Sequence, residues 1–130
     1  MADFSNIPVG TFFEFSQLVT SNDTAKKYGS GMVDVFATPA MIALMEKTCM
    51  DAVAPFLPIG YGTVGVAVNV VHGKATPIGQ KVNCIAKVVG VDGRKIFYEV
   101  VVSDENDEIG KGTHTRFIVD LDKFMEKTVK

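Results

Sequence analysis

The sequence predicts an α+β fold in which an antiparallel sheet of about five strands wraps around one long helix. The stretch from Phe36 to Leu57, FATPAMIALMEKTCMDAVAPFL, is strongly apolar and carries helix-boundary residues at both ends. Four segments after it have the composition and length of strands, and short turns join them, with Asp92-Gly93 a strong two-residue hairpin signal. Strands joined by turns that short pair antiparallel, and a lone apolar helix then lies across one face of the sheet.

The first strand falls in Thr11–Thr20, TFFEFSQLVT, which is rich in aromatic and β-branched side chains. Ser21–Gly31, SNDTAKKYGSG, is polar and contains glycine; it reads as a solvated loop, or more sharply as a mobile cover over a site. In the helix, Thr38 is placed to cap the N-terminus and Pro39 to occupy the first helical position, where it loses no hydrogen bond. The helix ends near Pro55 and the Leu57-Pro58-Ile59-Gly60 turn. Winding it at about 100° per residue puts Ile42, Met45, Cys49, Ala52, Val53 and Phe56 on one arc, with Lys47 and Asp51 as an i,i+4 pair on the wet side. Glu46 lies on the border of the apolar arc. Its neighbours three and four residues away are Ala43, Cys49, Ile42 and Met50, so its own helix supplies no cation. It is either an edge glutamate reaching water or a carboxylate held in a cleft for acid, base or nucleophile chemistry.

In the next segment, Thr63–Ala75, Val64, Val66, Val68, Val70 and His72 share one parity, so His72 faces where the valines face. Taken alone it reads as a hydrogen-bonded core histidine. Gly65 falls on the opposite parity, and a glycine inside a strand often marks a close approach of a ligand or another backbone. After the Thr76-Pro77-Ile78-Gly79 turn, Lys81–Val91 alternates with Val82, Cys84, Ala86 and Val88 inward. Lys95–Ser103 follows the hairpin, a polar tip at Asp104–Glu108 leads to a last strand at Ile109–Asp120, and Leu121–Val129 is short enough for a terminal helix.

At 130 residues and 47% hydrophobic, the chain fits a single domain over residues 1–130. A net charge of −2 without a basic run argues against nucleic acid and against an anionic membrane surface. The N-terminus lacks a signal-peptide pattern and no segment approaches 18 uninterrupted apolar residues, so a soluble, cytoplasmic protein is expected. Cys49 and Cys84 form no metal or redox spacing and read as reduced, buried thiols. No Walker loop, GxGxxG, GxSxG or HExxH occurs, and neither a metal nor a cofactor is expected. A lone sheet would leave exposed edges and an uncovered helix flank, which two copies meeting edge to edge would cover; a homodimer is therefore expected.

Three segments carry a resemblance: VFATPAMIALMEKTCMDAVAPFL, GYGTVGVAVNVVHGKATPIG and DEIGKGTHTRFIVDLDKF. Together they cover most of residues 35–124 and are similar to the fluoroacetyl-CoA thioesterase family, whose members have the hotdog fold. The resemblance implies hydrolysis of a small acyl-CoA to a carboxylic acid and free CoA by a Thr, Glu and His set, which falls on Thr38, Glu46 and His72. It also implies that backbone near Gly65 binds the thioester group. Glu46 would attack the carbonyl to give a mixed anhydride or activate water as a base, His72 would shuttle a proton, and Thr38 would orient the substrate or Glu46, or accept the acyl group. Arg116, Lys74 and Lys111 are candidates for the CoA phosphates on charge alone. Six positions before the threonine, the fluoroacetyl-specific enzyme carries an aromatic gate to its pocket; Met32 stands here, so a softer pocket mouth without strong fluorine selectivity is expected. The competing readings are a hotdog hydratase and a non-hydrolytic protein that binds acyl-CoA or another small ligand.

Overall fold

A computed structural model describes residues 4–129. Strand β1 (Phe12–Leu18) leads through a short 3-10 turn and helix α1 (Ala25–Tyr28) to the long helix α2 (Thr38–Val53). Strands β2 (Tyr61–His72), β3 (Lys81–Asp92), β4 (Lys95–Ser103) and β5 (Glu108–Asp120) follow, and helix α3 (Leu121–Thr128) closes the described chain. All five strands pair antiparallel in one sheet of order β1-β3-β4-β5-β2, as the short turns require.

Helix α2 buries Met41, Leu44, Met45, Thr48, Cys49, Ala52 and Val53, residues spaced three and four apart. Their partners are the inward-facing positions of the sheet, including Val82, Ala86, Ile96, Tyr98, Val100 and Ile118. The core face is rotated from the expected arc: Met41 and Leu44 are inside, while Ile42 and Phe56 are only half-buried. Each large apolar side chain withdrawn from water contributes about 1.5–3 kcal/mol, so this face anchors the helix far more firmly than its end chemistry.

Local geometry departs from expectation in three places. Ala37, not Thr38, is the N-cap of α2, and no side chain caps that end. Thr38 lies inside the first turn, where its hydroxyl is free to turn toward the sheet. Residues Ser21–Gly31 do not form a plain loop. The Asp23 carboxylate accepts from the Thr20 N–H at 2.8 Å and the Thr24 hydroxyl accepts from the Lys27 N–H at 3.1 Å, so two consecutive turns are capped. Gly29 ends the second turn at φ 73°, a left-handed conformation that glycine reaches without strain.

The third departure sets the geometry of the site. The pairing of β2 with β5 shifts register between Gly65 and Ala67, so Val66 is the extra residue of a β-bulge. The bulge breaks the simple alternation. Val68, Val70 and His72 pair with His114, Gly112 and Gly110, whereas Gly65 and Thr63 pair with the buried Arg116 and Ile118. Gly65 therefore looks toward α2 together with Val68, Val70 and His72, and Val64 is turned to the opposite face. Among the described residues β1 and β2 are the two edges of the sheet, and along β2 the side chains of Val66, Val68 and Val71 are exposed. Among the described residues no helix is long and apolar enough to cross a membrane.

Candidate active site

Two polar clusters lie along β2, one at its C-terminal end and the other about Gly65. In the first, Thr38 from the first turn of α2 meets His72 from the end of β2, with Oγ1 and Nδ1 2.8 Å apart. A hydroxyl both donates and accepts, so either imidazole tautomer is served. Burial pulls the His72 pKa below its ordinary value, which leaves the ring neutral near pH 7 and able to take a proton. Its Nε2 is buried and has no protein partner among the described residues. The pair borders a cavity of about 280 Å³ whose other walls include Ala25, Ser30, Val35, Phe36 and Lys74.

In the second cluster Glu46 reaches across from the middle of α2 to Gly65. A Cβ at position 65 would lie 2.6 Å from Glu46 Oε2 and 3.1 Å from His114 Cε1, so a side chain there would displace the carboxylate. Glycine lets the carboxylate lie against the strand backbone, which is the close approach that the sequence hinted at. The cation missing from the helix comes from β5: Arg116 Nη1 is 3.8 Å from Glu46 Oε2. That guanidinium is held on three sides. Nε donates to Thr63 Oγ1 at 2.7 Å, Nη2 donates to the Thr63 carbonyl at 2.8 Å, and Nη1 lies 3.2 Å from His114 Nε2. His114 in turn has Nδ1 2.8 Å from the Ala67 carbonyl, just past the bulge. Burial lowers its pKa too, and Tyr98 stacks on its ring at 6.1 Å.

The sequence-assigned residues thus fall into place unevenly. Thr38 and His72 touch, and Glu46 and Gly65 touch, but the two pairs do not meet within one chain. Eight residues of helix separate Thr38 from Glu46, about 12 Å, and seven residues of strand separate Gly65 from His72, about 20 Å. Arg116 is 5% exposed and committed to Thr63, His114 and Glu46, so it does not present itself to phosphates. Lys111 pairs with Val71 on the face away from His72, and its ammonium is 3.8 Å from Glu108. Lys74 remains the cation at the cavity, 2.7 Å from Asp107. Met32 is 92% exposed and is not among the residues lining the cavity; the turn ending at Gly29 brings Ser30 there instead. The position counted back from Thr38 is thus not a wall of this pocket in the single chain.

His114 and Thr63 went unrecognised in the sequence. Alternation of His114, Arg116 and Ile118 along β5 was the available signal, and it would have put a histidine and an arginine on the core face. Cys49 and Cys84 are buried, and burial raises both thiols, Cys84 to about 11, so neither is a thiolate near neutral pH.

A family model described as fluoroacetyl-CoA-specific thioesterase matches residues 19–122. The fluoroacetyl-CoA thioesterase of Streptantibioticus cattleyicolor is 45% identical over 94 residues, which is 72% of this chain and 68% of that protein. A solved fluoroacetyl-CoA thioesterase superposes with a TM-score of 0.90 at 37% identity, covering 95% of this chain and 96% of the other. A hot-dog-like protein from Thermanaerovibrio acidaminovorans superposes with a TM-score of 0.87 at 23% identity, over 98% of this chain and 95% of its own, and so shares the fold.

Proposed function

The chain belongs to the fluoroacetyl-CoA-specific thioesterase family, has the hotdog fold and hydrolyses acyl-CoA thioesters; from that premise we propose that it works as a homodimer with two composite sites. In each, Glu46 of one chain acts with Thr38 and His72 of the other. The observation that carries this reading is the position of the two clusters along one edge strand, one about Gly65 and the other at His72. Antiparallel pairing of two copies of β2 about a two-fold axis near Val68 and Asn69 sets Gly65 beside the partner's His72. The same pairing removes an exposed valine-rich edge, which is otherwise a liability. Sedimentation at micromolar concentration should give a single species of twice the chain mass; a monomer would defeat the composite site.

A thioester needs a nucleophile, a home for negative charge on its oxygen, and little help for a thiolate leaving group. Glu46 is the nucleophile or the base that draws a proton from water, and Arg116 keeps its carboxylate facing the strand. Backbone N–H groups at the Gly65–Ala67 bulge are suited to the carbonyl oxygen, since a bulge leaves its extra residue outside the ladder. Neutral His72 takes and returns the proton, and Thr38 fixes its ring through the 2.8 Å contact.

Thiol release from fluoroacetyl-, acetyl-, butyryl- and isobutyryl-CoA tests the reading directly. Turnover of several of these is expected, with fluoroacetyl-CoA no more than about a hundredfold ahead of acetyl-CoA in kcat/KM. Exchanging one small substituent in an apolar pocket is worth only about 1–3 kcal/mol, and the small side chains of Ala25, Ser30 and Val35 leave room for longer acyl groups. Absence of thiol release from all four, with binding retained, would make this a binding protein instead. A fluorine preference of several orders of magnitude would show that selectivity does not depend on an aromatic residue at position 32.

A further inference from the structure

Arg116 is a flexible side chain held in one orientation, and the group that limits its remaining freedom is His114. Two of its bonds go to Thr63, at Nε and Nη2. Nη1 faces Glu46, and among the described residues the one other partner of Nη1 is His114 Nε2 at 3.2 Å. The protonation pattern of that histidine follows from its neighbours. A carbonyl oxygen only accepts, so the 2.8 Å contact with Ala67 requires a proton on Nδ1. A guanidinium only donates, so Nε2 facing Arg116 must present its lone pair. The ring is thereby fixed as the neutral Nδ1–H tautomer, clamped between the β2 bulge and the guanidinium and backed by the Tyr98 ring.

We propose that His114 is a positioning residue for the reaction: seated on the Ala67 carbonyl, it accepts from Arg116 Nη1 and so fixes the guanidinium against which the Glu46 carboxylate is set. The proposal rests on Glu46 being the acting carboxylate. His114 does not touch the reacting atoms. It acts through the bond that Nε2 accepts from Arg116, and a displacement of about 1 Å between carboxylate and substrate is enough to cost about a hundredfold in rate. The charged groups that face it are Arg116 on its own strand and Glu46 on α2, and no other element brings a charge against its ring among the described residues.

The two side-chain amides separate the two bonds. The terminal nitrogen of asparagine falls near the imidazole Nδ1 position and preserves the donor to Ala67, but nothing then accepts from Arg116. The terminal oxygen of glutamine falls near Nε2 and preserves the acceptor, while the Ala67 carbonyl is left unserved. Kinetics and melting temperature would be measured for His114→Asn, His114→Gln, Glu46→Gln and the double variant Glu46→Gln/His114→Asn. His114→Asn should lower kcat about 10- to 100-fold with KM changed less than about threefold, and His114→Gln should recover to within about fivefold of the wild-type kcat even if it melts no higher. In the Glu46→Gln background, His114→Asn should cost nothing more. Equal kcat values for the two amide variants, or losses that simply follow the melting temperatures, would overturn the positioning role while an inactive Glu46→Gln leaves the catalytic assignment standing. Wild-type turnover by Glu46→Gln would instead remove the premise, and this proposal with it.

Discussion

Replacing Glu46 by glutamine should lower kcat by at least about a hundredfold and move the melting temperature by no more than a few degrees. The carboxylate sits against the β2 backbone, where Gly65 leaves it room, and glutamine has the same shape and fits the same space. Its contact with Arg116 is 3.8 Å long and its side chain is 41% exposed, so solvent screens the ion pair and removing it costs at most about 1 kcal/mol. Arg116 is not orphaned by the change, because Thr63 and His114 still accept from it. An amide oxygen, however, neither attacks a thioester nor takes a proton from water at neutral pH. Thiol release and thermal melting on one preparation check both halves of the expectation. A variant with near-wild-type turnover would take Glu46 out of the mechanism.

What could be read from the sequence was what neighbouring residues decide. The α2 boundaries, the strand positions and the β3–β4 hairpin depend on local periodicity and turn chemistry, and all appear close to their expected places, with the two-residue turn at Gly93-Arg94 rather than Asp92-Gly93. The misreadings share one cause, a distant partner that outweighs the local preference. Thr38 has the chemistry of a cap, but His72, thirty-four residues away, offers its hydroxyl a partner at 2.8 Å, and the helix begins at Thr38 itself, with Ala37 as the N-cap and no side-chain cap. A change at Thr38 should therefore be interpreted through the histidine rather than through a lost cap. Val66 looks like one more valine in an alternating run, and only its register against β5 reveals the bulge that turns Gly65 toward Glu46. Arg116 looked like a surface cation because charge was all the sequence offered; its burial follows from Thr63 and His114, which lie on two different strands. The residue pattern left Glu46 and His72 open between structural and catalytic readings, and the family resemblance is what selected the candidate trio. Its division into two clusters was not legible, since that depends on where β2 lies in the sheet.

That division leads to the second large effect, which is complementation between two inactive variants. Glu46→Gln and His72→Ala should each retain about 1% of wild-type activity or less, and a mixture exchanged to equilibrium should recover about a quarter of it. In a mixed dimer, one composite site receives both substitutions and is dead twice over. The other joins the Glu46 of the His72→Ala chain to the Thr38 and His72 of the Glu46→Gln chain, and is intact. Random exchange makes about half of all dimers mixed, each with one working site of two, which gives the quarter. If each site instead drew all three residues from one chain, every site in every dimer would carry one lesion and mixing would restore nothing. The experiment is decisive because the two arrangements predict different results from the same proteins. The distances within one chain favour the first: about 12 Å of helix separates Thr38 from Glu46, and about 20 Å of strand separates Gly65 from His72. Thiol release should therefore rise from near zero on mixing, with a time course set by subunit exchange. A mixture that stays inactive after exchange, verified by mass-tagged chains, would show that Glu46 and His72 do not work across the dimer.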